Sequence, residues 1–127
     1  MQIHTERIVS SSHRLMNPKF TKKQNQKEYG KCYESIHGHN WKIEVDIWGN
    51  IKETGMVLNF HKIKDIIDYL DHKHLNDLPE FQEIIPTAEN MVEYIINQLF
   101  DLGVDGVKVR IYESPESYAE DFKGEIL

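Results

Sequence analysis

Apolar and polar residues alternate most regularly in one stretch of the chain, His37-Gly38-His39-Asn40-Trp41-Lys42-Ile43-Glu44-Val45-Asp46-Ile47-Trp48. From Trp41 to Ile47 the odd-numbered residues are apolar, and the even-numbered residues between them are charged. Because successive side chains of a strand point to opposite faces of a sheet, this pattern predicts a strand over residues 37–48 with one buried face. His37 and His39 have the parity of that buried face.

The remaining patterns place helices and further strands around this strand. They predict, in order, a strand over residues 3–11, a long polar loop over 15–36, the strand 37–48, a helix over 60–72 that Asn59 can cap, a helix that Thr87 opens and Gly103 ends, a strand over 106–113 and a short strand near Tyr118–Phe122. This order is typical of an α+β fold in which an antiparallel sheet of four strands carries two helices on one face.

Length and composition narrow the classes of protein. A chain of 127 residues, 39% hydrophobic and 28% charged, suits one folded domain over residues 1–127. No apolar run approaches the roughly 20 residues that span a bilayer, and the first residues lack the apolar core of a signal peptide, so we expect a cytoplasmic protein with no membrane partner. The net charge of −6 argues against a nucleic-acid-binding surface.

Two local features each allow two interpretations. Five lysines between Lys19 and Lys31 form either a solvated, mobile loop or a patch that attracts an anionic substrate such as a phosphate ester. Cys32, the one cysteine, is either a small inert hydrophobe or a reactive thiol, since two histidines follow it closely.

Three histidines form the candidate metal site. His37 and His39 share the inward face of their strand, where two neighbouring imidazoles need polar partners. His13 has matching parity at the end of the first strand, and it lies beside them if the two strands pair antiparallel. Three histidine ligands with an open fourth position are typical of catalytic zinc. The competing interpretation is a set of ordinary core or surface histidines.

Three acidic or basic positions remain open on the residues alone. Asp71 and His72 are either a helix-end feature or an acid that fixes the tautomer of an imidazole for proton transfer. Glu113 ends a strand in phase with its buried face. It either forms a structural salt bridge or binds a donor–donor edge such as that of a pterin or guanine.

Taken together, these residues resemble the 6-pyruvoyl-tetrahydropterin synthase / 6-carboxytetrahydropterin synthase family. The matching segments are Ser12-His13-Arg14-Leu15, Cys32 with His37-Gly38-His39-Asn40-Trp41, Gly55 to Phe60, Leu70-Asp71-His72 with Leu75-Asn76, Pro86-Thr87-Ala88-Glu89-Asn90, and Tyr112-Glu113-Ser114. The resemblance implies a tunnelling (T-) fold, a trimeric barrel of subunits that stacks into a homohexamer, and active sites at subunit interfaces.

The resemblance also implies roles for individual residues. His13, His37 and His39 match the zinc ligands, Cys32 the catalytic thiol, and Asp71 with His72 a dyad contributed across an interface. Glu113 matches the anchor of the pterin ring, and Thr87 lies in a segment expected to contact the substrate. The implied substrate is 7,8-dihydroneopterin triphosphate and the implied cofactor is Zn²⁺.

Two positions depart from the family pattern. Four residues separate Cys32 from His37, and Glu34 stands among them, as in a subgroup in which a glutamate replaces or accompanies the thiol. Glu34 is either a second base or a solvated loop charge. Asn59 stands where the family usually has aspartate, a change that affects helix capping rather than chemistry.

The expected product is 6-carboxy-5,6,7,8-tetrahydropterin, for the queuosine pathway. The alternatives are 6-hydroxymethyl-7,8-dihydropterin for folate synthesis, alone or as a dual activity, and 6-pyruvoyl-tetrahydropterin. Two other classes compete with these: a non-catalytic metal protein that binds pterin or purine, and a small metallohydrolase using a zinc-bound water. A non-catalytic binding protein has no need of Cys32, Glu34 and His72. For a metallohydrolase, the sequence offers no obvious second carboxylate beside the histidine pair.

Overall fold

The structure, a computed structural model, describes residues 1–125. Its strands are β1 (Gln2–His13), β2 (His37–Trp48), β3 (Lys73–His74), β4 (Gly106–Ser114) and β5 (Ser117–Gly124), and its helices are α1 (Lys22–Tyr29), α2 (Lys31–Glu34), α3 (Phe60–Asp68) and α4 (Ala88–Phe100). Two short 3-10 turns, Leu75–Asp77 and Pro79–Phe81, connect β3 towards α4. The α+β class is confirmed, and β2 has the bounds that its alternation predicted.

The sheet has the strand order β3-β1-β2-β4-β5. The four long strands pair antiparallel as neighbours, with β2 at the centre. The prediction of four strands was one short, because β3 adds two residues that pair parallel to Ser11 and Ser12 of β1. A strand of two residues has no alternation to detect, so the sequence pattern carries no signal for it.

One face of the sheet carries the core. Inward side chains of β1, β2 and β4 join the apolar faces of α3 and α4 in a single cluster, which includes Val9, Trp41, Ile43, Val45, Ile47, Ile63, Ile67, Met91, Ile95, Leu99, Val109 and Ile111. Each fully buried aliphatic side chain of this kind contributes roughly 1.5–3 kcal/mol. The two predicted helices therefore pack against one face of the sheet. Among residues 1–125 they leave its opposite, polar face uncovered.

The segment 15–36 is not the long loop that its polarity predicted. It folds as α1 and α2, joined at Gly30. Thr21 and Gln24 form a capping box at the start of α1: the Thr21 hydroxyl accepts from the Gln24 backbone N–H, and the Gln24 side chain accepts from the Thr21 N–H. The buried Asn25 side chain binds the backbone of Asn17. Local hydrogen bonds, rather than an apolar face, therefore order this segment.

α3 begins where Asn59 caps it but ends at Asp68, four residues before the predicted end. The chain then turns back to β1 through His72, whose φ of 54° is the left-handed conformation. The His72 N–H donates to the Ser10 carbonyl at 2.7 Å, which closes the turn. Among the described residues, no helix has the length and apolar character needed to cross a membrane.

Candidate metal centre

The register of β1 and β2 brings the three histidines together. His13 lies opposite His37, and Ser11 lies opposite His39. One ring nitrogen of each of these three histidines lies within 4.8 Å of a ring nitrogen of each of the other two. The Nε2 atoms of His13 and His37 are 2.9 Å apart. Antiparallel pairing at the matching parity, as the sequence predicted, thus builds a compact group of three imidazoles.

The hydrogen bonds on the far side of the rings orient them. His13 Nδ1 lies 2.7 Å from the Pro86 carbonyl oxygen, which can only accept, so Nδ1 carries the hydrogen and donates. This tautomer leaves His13 Nε2 with a lone pair directed at His37 Nε2, 2.9 Å away. The hydrogen of neutral His37 lies either on Nδ1, 3.3 Å from the Ser35 carbonyl oxygen, or between the two Nε2 atoms. A metal bound by both Nε2 atoms would fix the Nδ1–H tautomer of His37.

His39 adds a third ring nitrogen to the group. Its Nε2 is buried and makes no hydrogen bond, although a Glu113 carboxylate oxygen lies 3.2 Å away. Burial lowers the pKa of both His13 and His39 below the ordinary value of 6.5, and neighbouring imidazoles lower it further. Both rings are therefore neutral near pH 7, which is the protonation state that a metal ligand requires.

Neutral imidazoles are typical ligands of zinc. Two nitrogens bound to one tetrahedral zinc at about 2.0–2.1 Å lie about 3.3 Å apart, whereas the His13 and His37 nitrogens lie 2.9 Å apart, at hydrogen-bonding distance. The indole of Trp41 packs edge-on against His13 and His39, with ring centroids 5.1 and 4.9 Å apart, and shields one side of the group. If His13 binds a metal, the Pro86 carbonyl is the outer partner that orients its ring.

A second group of possible ligands consists of the exposed His4 and Glu6 with the half-buried Glu44. There His4 already binds Asp46 at 2.7 Å and Glu6 at 3.2 Å, and these hydrogen bonds raise the pKa of His4. The group is an ion-pair cluster around a histidine that favours its protonated form, which is the opposite of the neutral state at His13.

Glu113 lies beside the metal group, on the inward side that its parity predicted. The pairing of β4 with β5 shifts register between Tyr112 and Ser114, which leaves Glu113 out of regular pairing. A groove runs from Glu113 to Ala88 and Glu89 at the start of α4, and β5 forms its other wall. Thr87 caps α4 by accepting from the Asn90 N–H at 3.2 Å. An open carboxylate therefore faces a groove next to the histidines.

Cys32 and Glu34 lie on the single turn of α2, directly before β2. Residues two apart on a helix point to different sides. The Cys32 side chain is half-buried and Glu34 is exposed. Neither residue joins the three histidines in a group of close ligand atoms among the described residues. The two candidate bases thus lie just before β2, the strand that carries His37 and His39, but their side chains point to different sides of α2.

Asp71 and His72 do not join the three histidines in a group of close ligand atoms among the described residues. The Asp71 carboxylate accepts from the Ser10 backbone N–H at 2.8 Å, and the His72 ring lies 3.5 Å from it. A polar groove beside this pair is lined by His72 together with Ser10, Ser11, Ser12, Gly38, His39, Asn40 and Lys73. His72 and His39 therefore border the same groove, and the predicted role of the pair across an interface stays a prediction.

Sequence reasoning missed three contacts around the site. The Pro86 carbonyl is a backbone atom, which no residue type reveals. Arg14 and Asn76 both fall in the matched motifs, yet only the structure shows that they bind each other and that Arg14 binds the segment bearing Cys32. The capping box at Thr21 is the sequence signal that would have revealed an ordered segment there.

Known proteins agree with this geometry. The family model of 6-pyruvoyl tetrahydropterin synthase matches residues 2–123. The chain is 42% identical over 126 residues to a 6-pyruvoyl tetrahydrobiopterin synthase of Dictyostelium discoideum, covering 93% of this chain and 92% of that protein. It is 39% identical over 94 residues to a putative 6-carboxy-5,6,7,8-tetrahydropterin synthase of Archaeoglobus fulgidus, covering 71% and 77%.

Among solved structures, the 6-pyruvoyl tetrahydropterin synthase of Caenorhabditis elegans superposes with a TM-score of 0.78 at 27% identity, covering 99% of this chain and 96% of that one. The predicted tunnelling fold is confirmed by this likeness, and so is the prediction of an enzyme of the synthase type. With its sequence, its fold and its histidine group in agreement, the chain belongs to the 6-pyruvoyl tetrahydropterin synthase family.

Proposed function

We propose that this protein is a zinc-dependent lyase that converts 7,8-dihydroneopterin triphosphate to 6-carboxy-5,6,7,8-tetrahydropterin. One observation carries the proposal: one ring nitrogen of each of His13, His37 and His39 lies within 4.8 Å of the others, and the Glu113 carboxylate lies 3.2 Å from His39. In this proposal the three imidazoles hold the cation and Glu113 anchors the pterin beside them.

The three histidines and Glu113 have separate roles in this proposal. Zinc, when held by the three histidines, would act as a Lewis acid on the side-chain oxygens of the substrate and so acidify the adjacent C–H bond. The Glu113 carboxylate accepts two N–H groups from the amino-imino edge of the pterin, which sets the ring in the groove that leads to Ala88 and Glu89. The proposal requires that the side chain at C6, on the far end of the ring from this edge, reaches the three histidines.

Proton removal falls to α2. Cys32 and Glu34 face different sides of its single turn, so one orientation of this turn presents the thiol and another presents the carboxylate. We assign to Cys32 the proton transfer that eliminates the triphosphate from the side chain. The 6-carboxy product then requires uptake of one water and cleavage of the bond after the first side-chain carbon, which releases the other two carbons as acetaldehyde. Oxidation of the retained carbon is balanced by reduction of the dihydro ring to the tetrahydro level. A carboxylate base at Glu34 favours retro-aldol cleavage, which gives 6-hydroxymethyl-7,8-dihydropterin and releases glycolaldehyde triphosphate.

A homohexamer completes the site in this proposal. Asp71 and His72 belong to the uncovered side of the sheet, where the Ser10 backbone holds the Asp71 carboxylate. The exposed His72 ring is then available to a neighbouring subunit, with Asp71 as its acidic partner. Thr87 remains proposed as a substrate contact because it directly precedes Ala88, which lines the groove at the start of α4. The lysines between Lys19 and Lys31 would attract the triphosphate.

A second product, 6-pyruvoyl-tetrahydropterin, is favoured by the comparisons. The Dictyostelium relative that bears this name matches more of the chain, and at higher identity, than the Archaeoglobus relative named for the carboxy product. The three products are chemically distinct, because the pyruvoyl product keeps all three side-chain carbons and the other two keep one. Product analysis therefore separates the candidates.

The test is to incubate the zinc-loaded protein with 7,8-dihydroneopterin triphosphate and resolve the pterins by chromatography with mass detection. We expect 6-carboxy-5,6,7,8-tetrahydropterin from the wild type and from Glu34→Ala, and its loss from Cys32→Ala. Loss of a one-carbon alcohol product from Glu34→Ala alone would assign the retro-aldol route to Glu34. Release of intact substrate with no turnover, from protein that holds zinc, would refute the proposal.

A further inference from the structure

We propose that Arg14 is a positioning residue that fixes α2, the turn carrying Cys32 and Glu34, against the metal-binding strand. This role rests on the proposed function only in giving α2 a part in catalysis. The contacts that support it are independent of any ligand, and they connect three segments of the chain.

The side chain of Arg14 makes two contacts with Tyr33, the residue between the two candidate bases. Its Nε donates to the Tyr33 carbonyl oxygen, and the centre of its guanidinium lies 4.4 Å from the centroid of the Tyr33 ring. The next backbone N–H, that of Leu15, donates to the Cys32 carbonyl oxygen at 2.8 Å. Two consecutive residues after His13 therefore bind two consecutive residues of α2.

The backbone of Arg14 is itself held in place. The Asn76 amide accepts from the Arg14 N–H at 2.8 Å and donates to the Arg14 carbonyl oxygen, also at 2.8 Å. This two-point contact fixes the Arg14 backbone, so its side chain extends towards Tyr33 from a fixed position. The end of β1, the segment after β3 and α2 are thus joined through one residue.

α2 needs such support because it has little of its own. It is a single turn of four residues, no side chain caps its N-terminus, and none of its residues is buried. Isolated helices of this length are not stable in water. The Arg14 and Leu15 contacts, together with the packing of α1 against α2, hold Cys32 in one place relative to His13.

Arginine suits this position better than lysine. The planar guanidinium donates in its plane while its face stacks on the aromatic ring, and it makes both contacts to Tyr33 at once. Lysine would keep the charge but offers a single mobile ammonium group without a flat face. Arg14→Lys is therefore expected to lie between the wild type and Arg14→Ala.

The test uses Cys32 as its own reporter, since it is the one cysteine in the chain. The rate of its alkylation by iodoacetamide is measured in the zinc-loaded wild type and in Arg14→Ala, Arg14→Lys and Tyr33→Phe. Zinc content, melting temperature, kcat and KM are recorded for the same proteins. Arg7→Ala is the matched control, because Arg7 lies on β1, the strand that Arg14 follows, and binds Asp68 through two hydrogen bonds of 2.7 and 2.8 Å.

We expect Arg14→Ala to keep its zinc and to alkylate several-fold faster than the wild type. Its kcat should fall about 10- to 100-fold with KM nearly unchanged, since small displacements of a catalytic group cost this much. Arg14→Lys should recover part of the loss, and Tyr33→Phe, which keeps ring and carbonyl, should behave as the wild type. Arg7→Ala should lower the melting temperature without changing the alkylation rate.

An alkylation rate in Arg14→Ala equal to that of the wild type would overturn the proposal. So would a loss of kcat that Arg7→Ala reproduces at the same melting temperature. If the wild type itself does not turn over dihydroneopterin triphosphate, the proposed function fails, whereas the alkylation rates still decide whether Arg14 holds α2.

Discussion

His13 should make the stability of the metal-free protein depend on pH in a way that one substitution can isolate. The ring is 1% exposed and donates from Nδ1 to the Pro86 carbonyl oxygen. Burial lowers its pKa below the ordinary 6.5. Since the folded state binds fewer protons than the unfolded state, the contribution of His13 to stability is fully present above pH 6.5. It is lost as the pH falls towards the lowered folded pKa.

The magnitude follows from proton linkage. If folded His13 stays neutral while unfolded His13 titrates at its ordinary pKa, moving from pH 7.5 to pH 5.5 lowers the free energy of unfolding by about 1.4 kcal/mol. His39 acts in the same direction, because its pKa is also lowered by burial. His4 acts in the opposite direction, because its hydrogen bond to Asp46 raises its pKa. A comparison of variants is therefore needed to isolate His13.

The assay is urea unfolding of chelator-treated protein at both pH values and fixed protein concentration, for the wild type and for His13→Asn. Asparagine places an N–H near the position of Nδ1, which preserves the bond to Pro86, and it does not titrate. We expect the wild type to lose more stability than His13→Asn between the two pH values, a difference that reaches about 1.4 kcal/mol when the folded ring stays neutral at pH 5.5. Equal losses would show that His13 is not a buried neutral imidazole and would refute the reasoning.

Three further substitutions test neighbouring parts of the structure. Glu113→Gln should weaken pterin binding about 10-fold or more by calorimetry, because the amide cannot accept two N–H groups, with zinc content unchanged; unaltered affinity would remove its role as the anchor. Thr87→Ala should lower the free energy of unfolding by about 1 kcal/mol through loss of the α4 cap, and Thr87→Ser should not. Asn59→Asp should stabilise α3 by about 0.3–1 kcal/mol at low salt, a gain that vanishes in high salt if the helix dipole is its source.

The helices and strands whose apolar residues recur at a regular spacing were predictable from the sequence. Alternation in β2 identified its bounds and its buried face, and the same parity placed His13, His37 and His39 inward. The metal group follows from that parity once β1 and β2 pair antiparallel. Family resemblance added the roles of Cys32 and Glu113, which spacing alone left open.

Elements built from local hydrogen bonds were not predictable from hydrophobic patterning. α1 has no apolar stripe and is ordered by the Thr21 capping box and the buried Asn25. β3 exists because a left-handed turn at His72 returns the chain to Ser10. The contact between His39 and Glu113 depends on the pairing of β2 with β4 and on the register shift of β4 near Glu113. No residue pattern predicts either of these features.

The metal content of the purified protein tests the histidine site most directly. Elemental analysis of the wild type should give about one zinc per chain, as expected for a single three-histidine site. His37→Ala should lose that zinc, whereas His61→Ala, which removes an exposed histidine of α3, should retain it. Full zinc occupancy in His37→Ala, or a wild type that takes up no zinc, would contradict the site.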